Sequence, residues 1–589
     1  MNNEKLDTTL NLSLEADEIQ RMKSEILSNG FDEEMQTWEV IVKYHEDATF
    51  LVSGSESTDI LLNGYAIITA TREQLIELVR HPQIEFMEMP KQLQYDVYRA
   101  KQASCILPVV TGEESLSGKG VLIAVIDSGI DYLLRDFRNE EGSRILYLWD
   151  QTLETNGEKA GNFSVGTEFT KEDIDRAITA SSTVAQSPDY AAAREIVPSI
   201  DTSGHGTAVA VIAAGNSVSP LYRGVAPESE LIIVKLRGRT QNVSLTTDLM
   251  RGITYAIRRA EELERPVVIN ISIGDTYGAH DGTSLIERFI DSVCDNGRNV
   301  ICIGAGNEAV TNGHTSFIPE NEVRVEMAVA GSERGVNVQI WKNYVDTCEI
   351  VLEAPNGERF FIDMQYRGKQ EWTVVNTQLL IYVAPPKPFT VNEEIFLDFI
   401  PIQEVVGNGI WTFIITPINE NQHDYHMFLP NSNARNFGTR FLRPTPELTM
   451  TIPAFARRAL TVGAYDIAIN SYADFSGRDR EMGEEGRTFF ATESKPDIVA
   501  PGVGIVAPTA GGGYASFSGT SFATPVVTGS VALLMEWGIV RGNDPFLYGD
   551  KVKAYLRRGA QPLSGDRYYP NNKTGWGALC VADTFPDSL

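Results

Sequence analysis

From Gly118 onward the chain is punctuated by short, unbroken apolar runs: VLIAVID ending at Asp127, LIIVKL at 231–236, VVINISI at 267–273 and VICIGAG at 300–306. Runs without alternation suit parallel strands buried on both faces. Helically spaced stretches lie among and after them, at 203–215, 244–263, 284–296 and 521–538. Strands alternating with helices predict an α/β fold, a doubly wound parallel sheet with right-handed crossovers. Between about 321 and 446 the rhythm changes. Eight strand-like segments, from VRVEMAVAG to HMFLP, follow one another across Gly, Pro and Asn turns. That pattern predicts an all-β sandwich, jelly-roll-like, inserted into the α/β core. Ahead of the core, residues 36–95 read as a small α+β unit, with strands at Trp38, Leu62 and Ile84 and a helix from Thr71. Residues 1–20 are polar and expected to be loose, and 90–103 to be an extended linker. The division is therefore 1–95, 96–320, 321–446 and 447–589.

A chain of 589 residues exceeds what one core usually holds, in keeping with several domains. Its net charge of −29, from 50 basic and 79 acidic residues, argues against a nucleic-acid partner or an anionic membrane surface. No 18-residue apolar stretch occurs, so no membrane span is expected. The first 20 residues lack the basic and apolar regions of a secretory signal, which predicts cytoplasmic synthesis. Five cysteines, at 105, 294, 302, 348 and 580, are scattered and odd in number. They predict no disulfide framework and fit a reducing compartment.

Four strings carry chemistry. Ser521 lies in Gly-Thr-Ser-Phe-Ala-Thr-Pro, residues 519–525, a tight turn opening a helix of small residues. A nucleophile needs such an exposed hydroxyl with backbone donors beside it. Pro525 is expected in the first helical turn, where its missing N–H does no harm. Most serines in such a context are turn or cap residues, so its partners decide. Asp127 closes the first buried strand, at the strand end where open α/β sheets build sites. His205 stands between Gly204 and Gly206 at a helix start. Asn307 follows the strand VICIGAG, placed to donate an amide N–H to an oxyanion. Residues 304–309 also match G-x-G-x-x-A, but residues 311–319 beyond them make a poor helix, so a dinucleotide site is not expected.

Together, and in the order Asp127, His205, Asn307, Ser521, these strings resemble the subtilisin-like serine proteases. RGVAPE before LIIVKL, IPAFARRALTVGAYD at 452–466, YADFSGRDR at 472–480 and KPDIVAPG at 495–502 add to the likeness, which covers about 118–320 and 447–585. The resemblance implies a serine endopeptidase: Ser521 as nucleophile, His205 as general base, Asp127 orienting it, Asn307 in the oxyanion hole. It implies Ser272, Ile273, Gly274, Gly304, Ala305 and Gly306 as walls of the pocket for the residue before the scissile bond. The edge near 237–242 would pair with substrate as an added strand. Family members commonly carry a second histidine where this chain has Ala208. Asp136 matches a calcium carboxylate of secreted members, but one carboxylate makes no calcium site; no cofactor is expected, calcium is left possible but unsupported, and no metal ligand is assigned. His423 and His426 read as turn residues.

Residues 36–95 resemble a subtilase propeptide, a partner whose tail passes through the active site; self-cleavage is then expected near Gln94 and Tyr95. With the β-only insertion, this looks like the clostridial Csp-type germination proteases, whose active members cleave a spore-cortex lytic zymogen. The resemblance implies a protein substrate and association with spores. Some relatives have lost triad residues, and the alternative is a regulatory binding protein with the propeptide retained in the cleft.

Overall fold

The computed structural model describes residues 5–586 except 18–19, 22–23, 25–26, 29, 91–95, 113–114, 155–159, 161–162, 182–188, 218, 220–221, 241–242, 296, 421–422 and 481–493. It separates into two compact units, 1–94 and 95–589. In the first, the strand Thr37–Tyr44 pairs antiparallel with both Tyr65–Thr71 and Ile84–Glu88. The helix Arg72–Leu78 starts from a capping box, Thr71 and Gln74 each satisfying the other's backbone N–H. The polar N-terminus holds more structure than its composition suggests. Asp7 caps a helix, Thr8–Glu15, and Leu6, Leu10 and Leu14, spaced by four, lay one buried stripe on the unit's core.

The second unit is built on the expected doubly wound sheet. Its parallel strands lie in the spatial order β2 (Ile145–Asp150), β3 (Glu230–Lys235), β1 (Leu122–Asp127), β4 (Val267–Ile271), β5 (Asn299–Gly304), β6 (Leu460–Asp466) and β7 (Ile498–Pro501). Every residue of β1, β4 and β5 is buried, as unbroken apolar runs require. Two helices pack on one another against this sheet: α1 (His205–Ala214) and α2 (Thr520–Met535). A Cβ added to Gly529 of α2 would lie 2.8 Å from the Ala213 carbonyl oxygen of α1, so glycine sets their close approach. The stretch 520–540 is long and apolar enough to cross a bilayer, yet 89 % of it is buried, as in a core helix.

Pro525 is not in the first helical turn. It is the sixth residue of α2 and cannot donate to the Ser521 carbonyl. The Ser272 hydroxyl donates to that oxygen instead, at 3.1 Å. The segment expected to be an extended linker contains the helix Asp96–Ala103, which buries Ala100 and directs Lys101 Nζ to the Arg223 carbonyl at 2.8 Å.

The insertion is two antiparallel sheets sharing one apolar core, with Val338 and Phe399 from one and Ile350 and Phe413 from the other. Its first paired strand is His314–Phe317, so pairing starts just before residue 321. After the insertion, buried Asp497 of KPDIVAPG ties the core together. It accepts from Lys495 Nζ at 2.8 Å, from Arg557, and from the Thr461 N–H at 2.7 Å. These cations hold its carboxyl well below the usual range against the opposing effect of burial.

The cysteine expectation is overturned: Cys105 and Cys580 form a disulfide across 475 positions, with Cα atoms 4.7 Å apart. Neither spacing nor parity shows that the two ends of the unit return to the same place. Cys294, Cys302 and Cys348 are buried thiols.

Candidate active site

Strand order reverses beside β1: β3 and β2 lie on one side, β4, β5 and β6 on the other. A crevice opens outside the carboxyl ends of strands at such a point. Asp127 is the last residue of β1 and is 2 % exposed. One of its oxygens, Oδ1, faces both the Ser128 N–H and His205 Nδ1, each at 2.7 Å. The other, Oδ2, is buried with no hydrogen-bond partner. Beside a carboxylate, Nδ1 carries the proton, which leaves His205 Nε2 as the basic nitrogen.

His205 opens α1 after Gly204, whose φ of +73° favours glycine. Gly206 is a steric requirement, since a Cβ there would lie 2.3 Å from the Gly129 carbonyl oxygen. Asp201 braces the turn. Its Oδ1 accepts from the Ser128 hydroxyl and the Gly204 N–H, both at 2.9 Å, and its Oδ2 from the Thr207 N–H and hydroxyl at 2.9 and 2.7 Å. The Ser128 hydroxyl in turn accepts from the Gly206 N–H. Burial would lower the proton affinity of His205; the charge and hydrogen bond of Asp127, with Asp201 further off, outweigh it and raise the pKa above 6.5.

Ser521 is the second residue of α2. The ring of its neighbour Phe522 lies 5.4 Å, centre to centre, from the His205 imidazole. In this conformation the Ser521 hydroxyl donates to the Ser272 carbonyl at 3.1 Å rather than to His205. Asn307 follows β5 and is exposed. Its Oδ1 accepts from the Thr520 N–H at 3.0 Å, which fixes the amide and leaves Nδ2 on the side of Gly519. Gly519 itself has φ of +148°. The Gly306 N–H donates to the Thr520 hydroxyl. Asp127, His205, Asn307 and Ser521 thus meet at one sheet edge, with Ser272–Gly274 and Gly304–Gly306 flanking the nucleophile. The bracing by Asp201, Ser128 and Ser272 escaped the sequence reading; an Asp four residues before a helix-starting histidine is the one signal that could have shown it.

The remaining positions fall elsewhere. Gln94 and Tyr95 lie outside the described residues. Gly238–Thr240 already pairs antiparallel with Val243–Ser244. The surroundings of Asp136 do not fit a calcium ion: buried Arg144 places its guanidinium on the carbonyl oxygens of Asp136, Ser229 and Ala214. The described residues contain no group of three or more His, Cys, Asp or Glu that could hold a metal. His426 is no turn residue; it is a buried strand position contacting His314, while His423 pairs with Asp346 at 2.7 Å. Past the glycines at 304 and 306 comes the strand His314–Phe317, so the helix that a dinucleotide site needs is absent there.

The family model of the subtilase family matches residues 118–392 and 433–577, and that of the Csp protease B prodomain matches 4–91. The chain belongs to the subtilase family of serine proteases and carries a CspB-type prodomain. It is similar to the solved structure of the Clostridium perfringens CspB protease, with 32 % identity, a TM-score of 0.73, and coverage of 83 % of this chain and 96 % of that one. It also resembles the minor extracellular protease Vpr of Bacillus subtilis, 24 % identical over 80 % of this chain and 52 % of the relative. A PII-type proteinase of Lactococcus lactis subsp. cremoris is 21 % identical over 88 % of this chain and 28 % of its own length. The chain thus spans about half or less of these two relatives.

Proposed function

We propose that this chain is a serine endopeptidase that processes its own N-terminal unit and then activates a protein zymogen by limited cleavage. The observation that carries the chemistry is the 2.7 Å contact of His205 with Asp127 beside the Ser521 end of α2. Rotation of the Ser521 side chain away from the Ser272 carbonyl delivers its hydroxyl to His205 Nε2. His205 takes the proton as Ser521 attacks the peptide carbonyl, Asp127 stabilises the imidazolium, and His205 returns a proton to the leaving amine. Asn307 Nδ2 and the Ser521 N–H receive the oxyanion, each such donor being worth roughly 3–4 kcal/mol in the transition state. The prodomain supports self-processing, and the resemblance to germination proteases supports a spore-associated zymogen as the protein substrate.

A fluorophosphonate probe is expected to label the wild type and to leave Ser521→Ala unlabelled. Ser521→Ala should also stay a single uncut chain. Folded wild type that takes no label would indicate a binding protein instead, and a cut in Ser521→Ala would assign the processing to another protease.

A further inference from the structure

Asn307 has to be held in place without using up Nδ2, the atom that the oxyanion needs. Its Oδ1 is fixed by the Thr520 N–H. Its backbone is fixed only through its neighbours, since among the described residues neither its N–H nor its carbonyl makes a hydrogen bond. On one side Gly306 is tied by the Thr520 hydroxyl at 3.1 Å and by the Gly477 N–H at 2.8 Å. Both of those ties come from the core. On the other side stands Glu308, 7 % exposed.

A carboxylate buried this far must collect donors. From its own turn Glu308 receives the Thr311 hydroxyl, on Oε2 at 2.7 Å. The other donors come from the insertion, 124 positions along the chain: the Ser432 hydroxyl on Oε1 at 2.8 Å and the Ser432 N–H on Oε2 at 3.2 Å. The insertion grips the rest of the same loop as well. Buried Arg435 donates from its guanidinium to the Thr311 carbonyl at 2.8 Å. The Phe441 N–H donates to the Asn312 carbonyl at 3.0 Å, and the Leu429 N–H to the Gly313 carbonyl at 2.8 Å. Residues 308–313 are thus seated on 429–441, and within that seat Ser432 holds the position next to Asn307.

We propose that Ser432 is a positioning residue for the oxyanion hole: through Glu308 it sets Asn307 where the oxyanion forms, so the insertion is a working part of the catalytic site. The proposal rests on the protease reading above and concerns the same site. An oxyanion donor acts only in the transition state, so a displaced Asn307 costs kcat and leaves KM alone. A displacement of about 1 Å costs on the order of 10²-fold, and the smaller release on losing one hydroxyl about tenfold.

The test measures kcat and KM of the full-length wild type, Ser432→Ala, Ser432→Thr, Asn307→Ala and the double variant of Ser432→Ala with Asn307→Ala. The substrate is a peptide that the wild type cuts, taken from its digest of casein. Asn307→Ala should lower kcat by about 10²–10³-fold. Ser432→Ala should lower kcat by about tenfold with KM unchanged, and Ser432→Thr, which keeps the hydroxyl, should recover most of that loss. With Asn307 already replaced, Ser432→Ala should cost at most about twofold more, because the group it positions is gone. A general loosening of the fold would multiply instead. The same fold loss with and without Asn307 would therefore overturn the proposal, as would a folded Ser432→Ala protein with wild-type kcat or with a loss confined to KM. Folded wild type that cuts nothing in casein would remove the protease reading itself, and this proposal with it.

Discussion

Asp127 carries two hydrogen bonds on one oxygen and none on the other. A buried carboxylate left half-satisfied is stabilised chiefly by a nearby positive charge, which forms on His205 when it takes the proton of Ser521 or, at low pH, one from solvent. The same pairing raises the pKa of His205 above its ordinary 6.5, although burial alone would lower it. The base works neutral, so kcat/KM should fall as pH drops through that raised value and level off above it. Asp127→Asn removes the charge that opposes burial. Its kcat should drop by about 10⁴-fold, and the residual activity should titrate at a lower pH than in the wild type. Parallel pH–rate profiles of the two proteins, with an unmoved acid limb, would show that Asp127 does not set the proton affinity of His205.

At the scale of elements, the seam between the insertion and the core is closed by three histidines around Phe428. His280, in the loop after β4, stacks on Phe428 with centres 4.0 Å apart and sits between the Thr276 and Met450 carbonyls. His314 stacks on the same ring, donates Nδ1–H to the Thr445 carbonyl, and accepts at Nε2 from His426 Nδ1 at 3.3 Å. His426 Nε2 is then a buried lone pair without a partner. Burial pushes the three down to about 4, 3 and 2, and Arg480 pushes the same way; backbone hydrogen bonds to His280 (Thr276, Met450) and His314 (Thr445, Glu447), and then Asp281 beside His280, oppose it without cancelling it. Each histidine is neutral when folded and charges near 6.5 when unfolded, so the stability they support is present above pH 6.5 and is lost as pH falls below it. The wild-type melting temperature should therefore fall between pH 7 and 4.5, and His426→Leu should fall less steeply, by up to about 1.4 kcal/mol per pH unit for the proton removed. Equal slopes would take the seam out of the acid response. Such a cluster could not be read in advance: His314 and His426 are 112 residues apart, and histidines at 423 and 426, within and just after the polar run 419–424, look like turn residues. The sheet and the four motifs were legible because each is local. Buried parallel strands demand continuous apolar runs, and glycines must flank His205 and precede Ser521 for steric reasons visible in the string. Bracing by Asp201 and the Ser272 hydroxyl that compensates Pro525 depend on which segments the fold brings together.

At the scale of the whole catalytic unit, its start is fastened to its end. Cys105, just after the helix Asp96–Ala103, is bonded to Cys580, and around it the Val581 N–H meets the Ser104 carbonyl at 2.8 Å and the Ala582 N–H meets the Cys105 carbonyl at 3.2 Å. Backbone bonds of this kind hold the two segments together whether or not the sulfurs are joined. The covalent link acts mainly on the unfolded chain, and closing so long a loop is worth about 2–4 kcal/mol in typical cases. Cys294 and Cys302 do not compete for it, since burial holds their thiols up at about 12 and leaves no thiolate to exchange. Alkylation therefore has a definite expected count. The denatured, unreduced protein should expose three thiols, at 294, 302 and 348, and the reduced protein all five. A thiol reductant should lower the apparent melting temperature of the wild type by several degrees, and Cys580→Ser should show the lower value without reductant and no further response to it. Five reactive thiols in the unreduced protein would mean that the two ends are joined by their backbone contacts alone, and the melting temperatures with and without reductant should then coincide.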